Sequence, residues 1–324
     1  MLVLGLQGSP RVDGNSNYLL STFLEVAENL GARTQMVQVD RKNIVPCKEY
    51  TVCEKKGFCP IDDDMKHEIY PLIREAEVIV AATPIFFYNM TAQLKAVVDR
   101  CQTLWARKYR FKLKDPCKNQ RKGFLISVGA TRGKNLFEGL ELAIRYFFDA
   151  VDADYFGSLT YRGIEHSGDS RKHPTAKKDV EEAARAILEP LIGRKRILFT
   201  CENNACHSQM AAAFAQVMAG DRFDVSSGGT NPAEKLDSFM TKAMEEKNID
   251  LKFRRPKSIE IAISEGRPEA VVSFGPSVKT TVASDAIQAH QIWDMVQQAE
   301  YSMESIRQLR DKIEKRVSDY VKSI

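Results

Sequence analysis

A cysteine pair in a short loop is the first feature of this sequence that could carry chemistry. The segment FTCENNACHSQMAAAF (199–214) contains Cys201 and Cys206, follows the apolar run RILFT (196–200) and leads into a helix predicted to start at Ser208. A helix amino end and loop amides stabilise negative charge, so we expect a lowered thiol pKa here. The loop therefore indicates either a redox thiol pair or an oxyanion site.

A second loop, GSPRVDGNSN (8–17), follows the first apolar run of the chain. It offers backbone N–H groups, hydroxyl groups and a helix amino end, a combination that binds phosphate. The spacing is not GxGxxG, so the dinucleotide fingerprint is absent. Ser9, Arg11, Ser16 and Asn17 are donors that suit a terminal phosphomonoester. A tight turn with a capping serine is the alternative explanation of this loop.

Aromatic residues stand at the end of a later predicted strand, in TPIFFYNMTAQLKAVVDR (83–100). A flat ring ligand needs an apolar wall and backbone donors near its polar edge. Phe86, Phe87 and Tyr88 could form such a wall, or they could be ordinary core aromatics.

The elements that must position these loops alternate between strand and helix patterns. Residues 1–160 show this alternation, and it restarts after residue 194. Alternation of this kind predicts parallel, doubly wound sheets with ligands at the carboxyl ends of the strands. We therefore predict an α/β protein with two such domains, residues 1–192 and 193–324. The predicted strands are 2–7, 34–39, 77–85, 123–130, 196–200, 223–227 and 269–274.

Composition narrows the class of protein further. With 324 residues, 44% hydrophobic and 28% charged, the chain can form two ordinary globular cores. The net charge of +4 is mild and does not favour nucleic-acid binding. The basic stretch 107–122 predicts a solvated face, or else a site for a partner or nucleotide phosphate.

Targeting signals are not predicted either. No run approaches the roughly 20 apolar residues of a membrane span, and the opening MLVLGLQ is too short for a leader. Seven scattered cysteines favour a reducing compartment. We expect a cytoplasmic protein that binds neither nucleic acid nor membrane.

The loops GSPRxxGNSN and TPIFFYNMTAQLKAVVDR together resemble flavodoxin-like NAD(P)H-dependent FMN reductases, particularly the iron–sulfur flavoprotein branch. The resemblance covers about residues 1–190 and includes DRCQTLWARKY and DADYFGSLTYRG. It implies FMN and NAD(P)H as cofactors. The residues it implies at the FMN phosphate are Ser9, Arg11, Asn15, Ser16 and Asn17, and at the isoalloxazine ring Pro84, Ile85, Phe86, Phe87, Tyr88, Asn89, Gly129, Ala130 and Thr131.

The same resemblance suggests a homodimer. Tyr146, Phe147 and Phe148, on a predicted helix, could be buried in a dimer interface, and the alternative is an internal core.

The iron–sulfur branch typically carries four cysteines in the region of PCKEYTVCEKKGFCPIDDDM (46–65). Here only Cys47, Cys53 and Cys59 are present, and Tyr50 stands where the second ligand is expected. A [4Fe–4S] cluster usually needs four thiolates. Three could hold one with an outside ligand or bind zinc, but a structural loop without metal is our prediction.

Most of residues 194–324 resembles the low-molecular-weight protein tyrosine phosphatase and arsenate reductase family. The resemblance rests on the Cys201 loop, on VSSGGTNPAEKLDSFMTKAMEEKNIDL and on RRPKSI. In that family the loop is CxxxxxR followed by Ser or Thr. The cysteine attacks phosphorus or arsenic, and the arginine binds the oxyanion.

Working parts of that family are altered in this chain. Cys201 and Ser208 match, but His207 replaces the arginine and cannot form a two-pronged clamp. Gln297 falls where the general-acid aspartate is expected, with Asp294 nearby, and VVSFGPSVKTT carries no relay cysteine. We therefore expect neither efficient phosphatase nor efficient arsenate reductase activity.

The combination predicts an FMN-dependent NAD(P)H oxidoreductase whose electrons go to the Cys201–Cys206 pair or to another small-molecule or thiol acceptor. A non-catalytic sensor of flavin or oxyanion is the alternative, and arsenate reduction is a second one. The electron acceptor and the preferred nicotinamide stay open.

Overall fold

The computed structural model describes residues 1–275, 289–294 and 301–324. The chain divides into two compact units, one formed by residues 1–112 and 120–193 and the other by 113–119 and 194–324. Each unit contains one parallel sheet, so the predicted α/β class with two parallel sheets is confirmed.

The first unit is built on a five-stranded parallel sheet in the order β2-β1-β3-β4-β5, which is the flavodoxin-like order. Strands β1, β3 and β4 are almost wholly buried because helices cover both faces of the sheet, and their sequences are accordingly near-continuous apolar runs. The strands are β1 Leu2–Gln7, β2 Arg33–Gln38, β3 Val78–Pro84, β4 Lys122–Gly129 and β5 Asp154–Arg162.

Helices join the strands of the first unit. Between β3 and β4 two consecutive helices meet at Cys101, where φ is −69° and ψ is −2°. The helices are α1 Asn15–Asn29, α2 Val52–Lys56, α3 Tyr70–Glu75, α4 Ala92–Arg100, α5 Gln102–Tyr109, α6 Glu138–Ala150, α7 Asp169–Lys172 and α8 Ala176–Leu188, with 3₁₀ turns at Val39–Arg41 and Glu189–Leu191 and a π-helical turn at Met65–Ile69.

Two of the three aromatics considered for a dimer interface belong to the core. Phe147 and Phe148 are buried, and Phe148 packs so closely on Gly123 that a Cβ there would lie 2.4 Å from its ring. An interface at these two residues is therefore wrong, and the alternative of an internal core is correct. Tyr146, on the opposite face of α6, is exposed.

The second unit has a four-stranded parallel sheet in the order β7-β6-β8-β9. On one face α9 and the final helix, α12, enclose an aromatic cluster in which Trp293 contacts Phe199, Phe274 and Tyr320. The elements are β6 Lys195–Cys201, α9 His207–Ala219, β7 Phe223–Gly229, α10 Ser238–Glu245, α11 Ile259–Ser264, β8 Ala270–Phe274, β9 Ala289–Trp293 and α12 Met303–Ser323.

Within the described ranges, no helix is both long and apolar enough to cross a membrane.

Candidate functional site

Three loops meet at the edge of the first sheet where β1, β3 and β4 end, because these strands are neighbours and run in the same direction. Thr91 Oγ1 donates to the Gly8 carbonyl (2.6 Å) and so ties the loop after β3 to the loop after β1. Ile85 N donates to the Val128 carbonyl (2.8 Å), which joins the ends of β3 and β4. The structure thus brings the residues predicted for the FMN phosphate and ring to one edge, here called the carboxyl edge.

The loop after β1 is a tight turn that leads into α1. Ser9 is buried, its N–H donates to Gln7 Oε1 (3.2 Å), and its Oγ accepts from Arg11 N (3.1 Å). A Cβ at Gly14 would lie 3.0 Å from the Arg11 carbonyl oxygen, so this position favours glycine. No side chain of the described residues caps α1, and the unpaired first-turn N–H groups can therefore receive an anion.

Two further residues predicted at the FMN phosphate also have hydrogen-bond partners. Asn15 Nδ2 donates to the His166 carbonyl (2.9 Å), and Asn15 Oδ1 accepts from Ser170 N (3.0 Å). Its amide therefore holds the loop after β5 against the start of α1. Asn17 Oδ1 accepts from Gln38 Nε2 (3.3 Å), which leaves the Asn17 amide nitrogen for a ligand.

The loop after β3 is a strained aromatic turn. Phe86 and Asn89 exchange backbone hydrogen bonds of 2.8 and 3.0 Å, and between them Phe87 (φ 48°) and Tyr88 (φ 62°) are both left-handed. This is the backbone of a type I′ turn, which usually carries Asn or Gly. Each bulky residue costs about 1–2 kcal/mol in this conformation, and such strain concentrates at functional sites.

These aromatics are not part of the core. Phe86, Phe87 and Tyr88 are 52%, 102% and 50% exposed, so the interpretation of them as core residues is wrong.

The loop after β4 packs against this turn. A Cβ at Gly133 would lie 2.7 Å from the Tyr88 hydroxyl, so glycine makes room for that side chain. At Gly129 a Cβ would meet Leu136 at 2.7 Å. Gly129, Ala130 and the residues that follow them therefore lie beside the aromatic turn, as expected for the two sides of one binding surface.

The carboxyl edge fits FMN. The Gln7 side chain is fully buried at the end of β1, and its Nε2 has no hydrogen-bond partner among the described residues. An unfilled buried donor is costly unless a ligand or water completes it. Together with the open start of α1 and the exposed aromatic turn, it gives this edge polar donors at one end and apolar rings at the other, an arrangement that fits FMN.

The three-cysteine loop is anchored by a buried ion pair. Arg100 donates to both carboxylate oxygens of Asp63 (2.6 and 3.1 Å), and Asp63 also accepts from Val45 N (3.0 Å). Burial acts to raise the pKa of Asp63, but Arg100 and these N–H donors hold it below its usual range. These hydrogen bonds therefore hold Val45 and Asp63, which lie on either side of the three cysteines, close together.

The donor set of this loop does not fit a four-thiolate cluster. Burial raises the pKa of Cys53, and the Cys59 and Cys47 thiols nearby raise it further. Among the described residues, no group of three or more His, Cys, Asp and Glu side chains is arranged to hold a metal ion. Tyr50 is more than half exposed and supplies no thiolate.

In the second unit, Cys201 ends β6 and is buried, with its Sγ 2.9 Å from Ser208 Oγ. Asn204 shapes the loop: it is buried and left-handed (φ 45°) and donates to Ser208 Oγ (2.9 Å). Its Oδ1 accepts from Gln209 Nε2 (3.1 Å) and Lys257 N (2.9 Å). Sequence reasoning missed Asn204, although asparagine is a residue that tolerates left-handed backbone.

Cys206 and His207 differ from an activated phosphatase loop. Burial raises the pKa of Cys206, with further contributions from Asp237 and Cys201, so the expectation of a lowered thiol pKa is wrong for Cys206. Burial lowers the pKa of His207, whose ring lies 5.6 Å from the ring of Phe274. The position of the missing arginine is therefore occupied by a neutral imidazole near pH 7.

The structure describes only some of the other residues predicted for this unit. Asp294 is exposed directly after β9. Gln297 and residues 276–281, the later part of the segment where relay cysteines were sought, lie outside the described residues.

Both units match families of known proteins. Residues 1–142 match the family described as NADPH-dependent FMN reductase, and residues 196–324 match low molecular weight phosphotyrosine protein phosphatase. The chain is 34% identical over 189 residues to an iron-sulfur flavoprotein of Methanosarcina thermophila, covering 55% of this chain and 93% of that protein. It is 29% identical over 128 residues to an arsenate reductase of Bacillus cereus, covering 39% of this chain and 94% of that protein.

A solved structure, an NAD(P)H:quinone oxidoreductase from Methanothermobacter marburgensis, is 15% identical with a TM-score of 0.46. The similarity covers 58% of this chain and 96% of that structure's chain.

A flavodoxin-like sheet with a phosphate-type loop at its carboxyl edge defines the first unit as a reductase domain of a class whose members bind flavin. The chain belongs to the NADPH-dependent FMN reductase and iron–sulfur flavoprotein family through this unit, and its second unit is a low-molecular-weight phosphatase/arsenate reductase-like domain. The predicted resemblance of both parts is confirmed.

Proposed function

We propose that this protein is an FMN-dependent NAD(P)H oxidoreductase that delivers electrons to a disulfide or other small-molecule acceptor. The observation that carries the proposal is the aromatic turn after β3, where the fully exposed Phe87 is held in a strained conformation beside the loops after β1 and β4. Exposure and strain at one turn are best explained by a ring ligand that covers it.

In this proposal the loop after β1 holds the flavin phosphate. Arg11 supplies charge, Ser16 and the first-turn N–H groups of α1 supply hydrogen bonds, and Gln7 Nε2 gains a partner. Phe86–Asn89 and Gly129–Thr131 flank the ring. When bound, FMN supplies two-electron chemistry with a reduced nicotinamide as donor.

The second unit offers a two-electron acceptor. Reduction of a Cys201–Cys206 disulfide breaks one S–S bond and consumes two electrons and two protons, which one NAD(P)H and one solvent proton supply. The raised pKa of Cys206 keeps that product thiol protonated.

Flavin content and nicotinamide-dependent bleaching test the proposal. We expect stoichiometric FMN whose absorbance bleaches on anaerobic addition of NADPH or NADH and returns with an acceptor. Arg11→Ala combined with Ser16→Ala should weaken FMN binding by roughly 2–4 kcal/mol, the sum of a charged and a neutral hydrogen bond. Pro10→Ala, in the same loop, is the control and should bind normally. Recovery of bound FAD, or of FMN that no reduced nicotinamide bleaches, would contradict the proposal.

A sensor that binds flavin or an oxyanion without turnover is the second candidate. The neutral His207 and the raised pKa of Cys206 favour it, because both reduce the reactivity of the thiol loop. The same two features make efficient arsenate reduction an unexpected outcome. Flavin that bleaches only once, without turnover with any acceptor, would favour the sensor.

A homodimer in the cytoplasm remains part of the proposal. Tyr146 and Leu142 on α6 and Phe156 on β5 are exposed apolar side chains that a second copy could cover. Light scattering of the purified protein measures its oligomeric state directly.

A further inference from the structure

A cavity of about 370 Å³ opens beside the start of α1, between that helix and the loop that leads into α7. It lies on the carboxyl-edge side of the first unit, since it is formed by the segments that follow β1 and β5. Its lining residues are Asp13, Gly14, Asn15, Tyr18, Ser167, Gly168 and Arg171.

The walls of this cavity are preformed by hydrogen bonds. The Asn15 amide is bonded to the backbone of His166 and Ser170, and Ser167 Oγ donates to the Asp13 carbonyl (3.1 Å). Both segments are thus fixed to each other. The volume falls in the range of small-ligand sites, roughly 300–1,000 Å³.

Charged groups in this cavity lack protein partners. The Arg171 guanidinium lies over the Tyr18 ring, 5.1 Å from its centroid, and forms no ion pair with the residues that the structure describes. The Asp13 carboxylate is likewise unpaired within that set. The cavity therefore combines a cationic side chain with a carboxylate that accepts hydrogen bonds.

This cavity is not the predicted FMN phosphate site. Of the five residues assigned to the FMN phosphate, Asn15 alone lines it, and both polar atoms of that side chain are already bonded. A second ligand can therefore occupy it while FMN is bound.

We infer that the cavity takes the phosphate-bearing adenosine end of NADPH. Arg171 would bind the 2′-phosphate, as an arginine commonly does in NADPH sites, and Asp13 would accept from the neighbouring ribose 3′-hydroxyl. This inference rests on the proposed NAD(P)H activity and adds a preference for NADPH over NADH.

Calorimetry on the FMN-loaded full chain tests it with 2′,5′-ADP as the probe. Loss of one charge-assisted contact corresponds to about a tenfold loss of affinity or more, so Arg171→Ala should weaken 2′,5′-ADP binding by at least that factor. Lys172→Ala removes the same charge from the next residue, which does not line the cavity, and should leave binding within about twofold. 5′-AMP, which lacks the 2′-phosphate, should bind more weakly than 2′,5′-ADP.

Equal binding of 5′-AMP, absence of 2′,5′-ADP binding, or equal effects of the two substitutions would overturn the inference. Arg171→Ala should also raise the KM for NADPH without changing that for NADH. Arg171-dependent binding of 2′,5′-ADP by a protein that oxidises neither nucleotide would support the cavity assignment and contradict the proposed activity, so the two can fail separately.

Discussion

His207 decides how strongly the thiol loop can hold an oxyanion. Because burial lowers its pKa, the imidazole is uncharged at pH 7.5. His207→Arg should raise the affinity for sulfate about tenfold or more, since a guanidinium adds charge-assisted hydrogen bonds. Calorimetry with sulfate suits this measurement because sulfate stays dianionic from pH 5 to 8.

The pH dependence of the same titration provides the control. His207 gains its proton only as the pH falls below the ordinary value of about 6.5, so wild-type sulfate affinity should rise on acidification to about pH 5. His207→Arg should show little such rise, and His207→Gln should match the wild type at pH 7.5 and also lack the rise. Tight sulfate binding by the wild type at pH 7.5 would show that another group replaces the arginine.

We expect Tyr50 to limit the iron and sulfide content of the three-cysteine loop. With three thiols and an exposed tyrosine, the purified protein should contain little iron or acid-labile sulfide even when prepared anaerobically. Tyr50→Cys should raise both after reconstitution, and Tyr50→Ser, of similar size to cysteine but without its thiol, should not. Nearly four irons per chain in the wild type, unaffected by Tyr50→Cys, would contradict this prediction.

At the scale of elements, the aromatic turn after β3 combines a strained backbone with the surface proposed to bind the flavin ring. Phe87→Gly removes a left-handed bulky residue and should raise the free energy of unfolding by about 0.5–1 kcal/mol. The same change removes part of the ring wall and should weaken FMN binding. Urea unfolding of the FMN-free protein and fluorescence titration with FMN measure the two effects.

Lys112→Gly is the matched control for Phe87→Gly. Lys112 is also exposed and left-handed (φ 59°), but it lies outside the carboxyl edge. It should give a similar gain in stability with unchanged FMN affinity. If Phe87→Gly also leaves FMN affinity unchanged, the turn is not the ring wall.

The sheets could be predicted from sequence because buried parallel strands are apolar runs bounded by loops, as in 78–84 and 123–129. β9 was missed because AHQIW is short and half polar, so its pairing with β8 supplies what its sequence does not indicate. The boundary between the two helices at Cys101 could not be predicted either, because the apolar periodicity continues across it.

The position of the candidate site could be predicted from sequence, but the hydrogen bonds and pKa values of its residues could not. Loops at strand ends can be located from sequence, and the residues of both loops do meet at the carboxyl edge. Asn15 could not be separated from Ser16 by type, because its role depends on the loop after β5, which is distant in sequence. The pKa of Cys206 depends on burial and on Asp237, which only the folded chain brings near.

At the scale of the whole molecule, two units with different chemistry share one chain. Under the proposed function, FMN in the first unit would supply electrons two at a time, and a Cys201–Cys206 disulfide would take up two. The stoichiometry of thiols recovered per NADPH therefore tests whether the two units belong to one reaction.

We expect that mild oxidation of the FMN-loaded chain, followed by anaerobic NADPH, restores two more thiols per chain in the wild type than in Cys206→Ser. Cys206→Ser retains Cys47, Cys53 and Cys59, so the difference isolates the pair in the second unit. Arg11→Ala combined with Ser16→Ala should abolish the recovery unless excess FMN is supplied, because it weakens the flavin site alone. Thiol titration under denaturing conditions counts all groups regardless of burial. Equal recovery in the wild type and Cys206→Ser would show that electrons from NADPH do not reach the Cys201–Cys206 pair, and the second unit would then act in binding instead of in redox chemistry.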